Sequence, residues 1–219
     1  MDVRILAVSD LHGDVERARK LGFVIREVAP DLVLVGGDLT NFGTLDSAKN
    51  ILGMLVVNDS KILFVPGNCD PRELLNVEEV EGAHNIHGRR FEFKGVNVLG
   101  IGGSNPTPFK TLIEFSEEEI RGILSSLDAS PKSIVLSHFP PHNTRLDRVF
   151  FGVHVGSVEL RKFIERHKPR LVVVGHVHEG RGQQEINTSI IVNGGPGARG
   201  FYSIVDWSLE AVEVTLNQI

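Results

Sequence analysis

Short, nearly unbroken apolar runs recur along the chain at residues 3–8, 32–35, 62–65, 134–136 and 171–174. Their length and their Val, Ile and Leu content predict buried strands. Between the first three, the apolar spacing changes from continuous to helical. Val15, Ala18, Leu21, Ile25 and Val28 fall on one face of a segment that opens at Asp14 and stops at Pro30, and Ala48, Ile51, Leu52 and Leu55 repeat the pattern. The resulting βαβαβ order predicts a parallel sheet with right-handed crossovers. Residues 77–103 read differently, as short strand pieces at 85–86, 91–93 and 96–101 separated by Gly88 and Gly95, which favours antiparallel pairing. Ser116 and Glu119 form a capping box for a helix burying Ile120, Ile123, Leu124 and Leu127. Ser157 opens another, packing Leu160, Phe163 and Ile164, before Pro169. The last third is strand-rich, at 171–174, 189–192, 202–205 and 212–216. Residues 139–156 lack periodicity and form a candidate substrate loop. No repeat, low-complexity tract or linker divides the chain, so residues 1–219 are expected to form one α/β domain.

Composition narrows the function. The chain carries 23 basic against 28 acidic residues, a net charge of −5, which argues against a general nucleic-acid coat or an anionic-membrane binder. One cysteine excludes an internal disulfide and any CxxC zinc site. The N-terminus runs directly into a strand without a leader-like apolar segment, and no apolar stretch approaches the ~18 residues of a membrane helix. The expectation is a cytoplasmic protein.

The chemistry is concentrated where the runs stop. Residues 3–8 end in Ser9-Asp10-Leu11-His12, 32–35 in Gly36-Gly37-Asp38, 62–65 in Pro66-Gly67-Asn68-Cys69-Asp70, 134–136 in Ser137-His138, and 171–174 in Gly175-His176-Val177-His178. In open α/β sheets, ligands sit outside the carboxyl ends of the strands, so these residues can converge although far apart in sequence. On an extended backbone, at ~3.3 Å per residue, Asp10 and His12, like His176 and His178, would project to one side roughly 6 to 7 Å apart, addressing one centre or straddling two. Carboxylate, imidazole and amide suit Mn, Fe, Co, Ni or Zn better than Mg or Ca. Each residue also has a plainer reading: Asp10 as a helix cap, although Asp14 fills that role better, Asn68 as a turn residue, and the histidines as satisfied core-edge groups. Asp70, before Pro71 and Glu73, fits a helix cap as well as a brace behind the site. His84, His87 and His167 read as exposed. Phe150-Phe151 either walls a substrate pocket or pins the loop. Neither a phosphate-binding Gly-x-x-x-x-Gly-Lys-Ser/Thr loop nor a Gly-x-Ser-x-Gly elbow is present.

Asp10-Leu11-His12, Gly37-Asp38, Gly67-Asn68-Cys69-Asp70, Ser137-His138 and Gly175-His176-Val177-His178 resemble, in order and approximate spacing, the signature of the calcineurin-like metallophosphoesterases. Gly152-Val153-His154-Val155-Gly156-Ser157 and Asn193-Gly194-Gly195 look like the small prokaryotic members. The resemblance implies two packed mixed β-sheets flanked by helices in a four-layer sandwich. It implies two divalent transition-metal ions, manganese foremost, with iron, nickel, cobalt and zinc as alternatives. Asp10, His12 and His178 would hold one, and Asn68, His138 and His176 the other, with Asp38 bridging. Two dications less two carboxylates and one hydroxide leave roughly +1 to hold a phosphate, and a water between them has its pKa lowered toward ~7. The implied activity is phosphoester hydrolysis of a small substrate by a metal-bridging hydroxide, with Asn68 also donating its amide N–H to a phosphoryl oxygen. Cys69 departs from the pattern, which commonly has His there to assist the leaving oxygen. A thiol is a poor donor and can ionise beside dications, so the expectation is a phosphodiesterase preferring activated leaving groups, with His154 or His142 as other proton sources. The competing expectation is a catalytically weak metal-binding scaffold of the same fold.

Overall fold

The computed structural model describes residues 2–57 and 59–219. Its strands are β1 (Val3–Val8), β2 (Leu32–Val35), β3 (Lys61–Phe64), β4 (Glu79–Val80), β5 (Ala83–Asn85), β6 (Arg90–Phe93), β7 (Val96–Ile101), β8 (Ile134–Ser137), β9 (Leu171–Val174), β10 (Gly182–Ile186), β11 (Ser189–Asn193), β12 (Phe201–Trp207) and β13 (Val212–Gln218). Four α-helices accompany them: α1 (Val15–Val28), α2 (Leu45–Leu55), α3 (Glu117–Ser125) and α4 (Val158–His167).

The strands form two sheets, ordered β13-β12-β1-β2-β3-β5-β4 and β10-β11-β9-β8-β7-β6. Both have a parallel centre and antiparallel edges: β1, β2, β3 and β5 run parallel in the first, β7, β8, β9 and β11 in the second. The central strands read as continuous apolar runs because both of their faces are buried. Val3, Ile5 and Ala7 of β1 point between the sheets, whereas Leu6 and Val8 point at α1 and α2. In β9, Leu171 and Val173 join the intersheet core while Val172 and Val174 face α3 and α4. The two-residue period of each strand thus divides its apolar atoms between two cores, giving the expected four-layer sandwich of helices, sheet, sheet and helices.

The helices start where their caps dictate. Asp14 accepts from Arg17 N–H, Thr44 from Ser47 N–H, Ser157 from Leu160 N–H, and Ser116 with Glu119 closes a capping box. No helix among the described residues is long and apolar enough to cross a membrane.

Several expectations are corrected. β3 begins and ends one residue earlier, although Val65 N–H still bonds Val35 O at 3.1 Å. The edge strands β4 and β10 were not foreseen. In β10 the Gln183-Gln184-Glu185 stretch has no apolar alternation to read, and its pairing is supplied by β11 alone. The three histidines expected at the surface are partly buried. His84 lies in β5 against Phe91 and Lys61, His167 packs on Phe163, and His87 stacks on Phe115. Phe150 and Phe151 are 75% and 104% exposed, so they do not pin the loop.

Candidate metal centre

All seven ligand-type side chains leave the carboxyl ends of parallel strands: Asp10 and His12 after β1, Asp38 after β2, Asn68 after β3, His138 after β8, and His176 and His178 after β9. Asp10, His12 and His178 bring their ligand atoms within 4.8 Å of one another, and Asp38, His138 and His176 do the same. Asp38 faces both groups. Its Oδ2 is 3.8 Å from His12 Nε2, and its Oδ1 is 3.5 Å from His138 Nε2. Asn68 joins the second group, its Oδ1 standing 2.9 Å from His138 Nε2. In the first, His178 Nε2 lies 3.2 Å from His12 Nε2 and 3.6 Å from Asp10 Oδ1.

The backbone departs from the extended geometry expected. Asp10, His12, Asp38 and His176 have φ of 57°, 48°, 49° and 67°, in the left-handed region that ordinary side chains rarely enter. Four such residues in one cluster mark a site where tertiary contacts override local preference. The consequence is that Asp10 and His12 converge on one group, while His176 and His178 divide between the two.

Those overriding contacts can be named. Asp10 N–H bonds Gly37 O at 2.9 Å and His12 N–H bonds Asp38 O at 2.8 Å, locking the first two loops together. The third loop abuts them so closely that a Cβ on Gly67 would stand 2.1 Å from Asp38 N. Asp70 is no cap. The turn after it is a short 3-10 segment (Arg72–Asn76), and the fully buried carboxylate accepts from Gly67 N, Leu39 N, Thr40 N and Thr40 Oγ1 at 2.8 to 3.1 Å. It therefore ties the Asp38 loop to the Asn68 loop. Asn193, which entered the sequence reading only as part of the family resemblance and without a role of its own, does the same elsewhere. Its Nδ2 donates to Val177 O at 2.9 Å, and a few residues on, Gly197 N–H and Ala198 N–H bond Ser9 O and Asp10 O. Its place after a strand was visible in the sequence, but its partners were not.

The electrostatics suit cations. Asp10 and Asp38 are 1% and 2% exposed, yet both carboxyls are held below their ordinary pKa: burial works against this, and the facing histidines prevail. The same field lifts His138 to about 9, the Asp38 and Asp10 charges overcoming its burial. Burial, then the neighbouring His138 charge, depresses His176 to about 4, which keeps it a neutral imidazole with a free lone pair. His138 Nδ1–H donates to Gly36 O at 2.6 Å, so Nε2 is the nitrogen that faces the cluster, where an ion would take the place of the proton that the carboxylates hold on it. Two buried carboxylates, four imidazoles and an amide oxygen thus fit divalent transition metals.

Cys69 and His154 differ from the seven. Cys69 is buried, its N–H donates to Asp38 Oδ1 at 2.8 Å, and burial followed by the Asp38 charge pushes its thiol pKa up, so the protein's own field keeps it neutral. His154 bonds within its own loop: Nδ1 lies 2.6 Å from Asp147 Oδ1, Arg148 Nε donates to Nε2 at 3.4 Å, and the His142 ring is 5.6 Å away. Asp147, also unforeseen, organises residues 139–156. It accepts from Asn143 N, Thr144 N and Gly156 N at 2.8 to 3.1 Å.

Residues 3–180 match the family model of the calcineurin-like phosphoesterases. The chain belongs to this family. It is 37% identical to the protein MJ1162 of Methanocaldococcus jannaschii over 203 residues, covering 89% of this chain and 88% of that one. The crystal structure of TT1561 of Thermus thermophilus superposes with a TM-score of 0.77 at 25% identity, over 100% of this chain and 99% of the other. A structure described as a novel archaeal phosphodiesterase shares the fold, with a TM-score of 0.53 at 15% identity and 99% coverage of both chains. The family is one of metal-dependent phosphoric ester hydrolases, and this phosphoesterase has candidate ligand groups for divalent ions.

Proposed function

We propose that this phosphoesterase is a phosphodiesterase working with two divalent transition-metal ions, manganese foremost. The observation that carries the reading is the position of Asp38, one carboxylate oxygen facing His12 and the other His138, with Asp10, His12 and His178 on one side and His138, His176 and Asn68 on the other. Asp10, His12 and His178 would hold one ion and Asn68, His138 and His176 the other, with Asp38 available to both. When bound, the ions supply the positive charge that retains a phosphoryl group and lower the pKa of the attacking water. The protein contributes the rest. Asn68 would give Oδ1 to the second ion and Nδ2–H to a phosphoryl oxygen, and Gly36 O, accepting from His138 Nδ1–H, keeps His138 Nε2 turned to the cluster.

The diester preference follows from what stands beside Asn68. Cys69 offers only a thiol, a weak donor, and His154 is committed to Asp147 and Arg148, so leaving-group protonation is weak and substrates with good leaving groups are favoured. Metal-stripped protein reloaded with each of Mn, Fe, Co, Ni and Zn is assayed on bis(4-nitrophenyl) phosphate and 4-nitrophenyl phosphate. The expected result is two ions per chain, diester turnover exceeding monoester turnover, and loss of both in Asp38→Ala. Two bound ions with no turnover of either ester would instead identify a metal-binding scaffold. His154→Ala with full activity at every pH would remove His154 from the proton-transfer role.

A further inference from the structure

A cleft of about 290 Å³ opens beside the first ligand group, with His12 in its wall. Its chemistry is two-sided. Ile51, 1% exposed, and Val15 give it an apolar floor, while Asn41, Ser47 and Asn50 are exposed polar residues along its lining. The amides of Asn41 and Asn50 make no hydrogen bond among the described residues, so each offers an unspent acceptor and two donors. Apart from His12, no ionisable side chain lines the cleft, and the nearest charges on α2, Asp46 and Lys49, pair with each other at 3.3 Å. Phe42, between the lining residues Asn41 and Gly43, is 56% exposed, with its N–H fixed to Cys69 O at 3.0 Å.

We infer that this cleft receives an uncharged sugar ring carried as one arm of the phosphodiester, its hydroxyls bonded by Asn41 and Asn50. The assignment rests on the phosphodiesterase reading and adds to it the class of the substrate arm. A sugar ring presents hydroxyls at its edge and C–H groups on its face, matching amides above Ile51 and Val15. A second phosphate finds no lysine or arginine in the lining to hold it, which favours an uncharged arm over a nucleoside polyphosphate. The sugar can belong to a nucleoside or to a simple glycosyl ester, and Phe42 separates the two, because only a nucleoside brings a base to stack on it.

The test measures kcat/KM for uridine 5′-(4-nitrophenyl) phosphate, whose ribose keeps two hydroxyls, and glucose 6-(4-nitrophenyl phosphate), each as a ratio to bis(4-nitrophenyl) phosphate, on the metal-loaded protein. Asn41→Ala and Asn50→Ala, at exposed positions, are each expected to lower both sugar-ester ratios about five- to tenfold, the weight of one hydrogen bond to a neutral partner. Phe42→Ala lowers only the uridine ratio if the source is a nucleoside, and neither if it is a glycosyl ester. Ratios within twofold of wild type in both asparagine variants would overturn the assignment while leaving the phosphodiesterase standing. Failure of the wild type to hydrolyse bis(4-nitrophenyl) phosphate with any metal would remove both.

Discussion

His87 should act as an acid-sensitive latch on the fold, and the size of its effect can be worked out. Its ring stacks on Phe115, centroids 5.5 Å apart, and its Nδ1 accepts the Gly102 N–H at 2.9 Å. That bond requires an unprotonated Nδ1; protonation would set N–H against N–H. Burial, then the charge of Arg89, depresses its pKa to about 4, against 6.5 for a free histidine. Between those values the unfolded chain binds a proton that the folded chain refuses, so the contribution is fully present above pH 6.5 and is lost as pH falls toward 4. Linkage puts the loss at about 1 kcal/mol by pH 5.5 and about 2–3 kcal/mol by pH 4.5. His87→Gln keeps an acceptor for Gly102 and removes the titration. Urea unfolding of both proteins, in EDTA to keep metal linkage out, should show the stability gap between wild type and variant shifting by those amounts from pH 7.5 to pH 4.5. A gap constant across that range would refute the reasoning.

Other consequences are open to direct measurement. Gly67→Ala forces a Cβ to within 2.1 Å of Asp38 N, so it should cost about 1–3 kcal/mol in denaturant unfolding and abolish tight metal binding; a variant of wild-type metal stoichiometry would show that the loops can separate. Asn193→Ala removes the bond to Val177 O and should weaken the Asp10, His12 and His178 group first, seen by calorimetric titration as one ion bound at wild-type affinity and one at least tenfold weaker. Manganese at about a thousand times the Kd of both sites should add about 4 kcal/mol per ion, about 8 kcal/mol for two, and raise Tm by about 20 °C over the EDTA-treated protein; an unchanged Tm would mean no ion binds the folded state. Cys69→His should raise turnover of phosphodiesters with poor leaving groups more than of nitrophenyl esters, and equal effects on both would show that no acid is missing at that position.

The central strands and all four helices are legible in the sequence because each depends on a period that one segment carries by itself. The seven ligand-type residues are legible for a different reason, since carboxylates and imidazoles placed where apolar runs stop have few other uses. The braces are not legible, and Asp14 and Asp70 show why. Both precede a turn of helix, both have an acidic residue within three positions, and local pattern gives both the same reading as a cap. Asp14 does cap, accepting Arg17 N–H at 2.9 Å. Asp70 is followed by Pro71, which has no N–H, and by a 3-10 turn that its side chain does not cap, so its carboxylate is free for other donors. Those donors come from Leu39 and Thr40, about thirty positions earlier, which reach it only once β2 and β3 are paired. The left-handed backbone of Asp10, His12, Asp38 and His176 has the same origin. Each conformation is disfavoured for its own residue and is held by bonds between loops that only the sheet aligns, so the chemistry of this site can be read residue by residue while its geometry belongs to the fold.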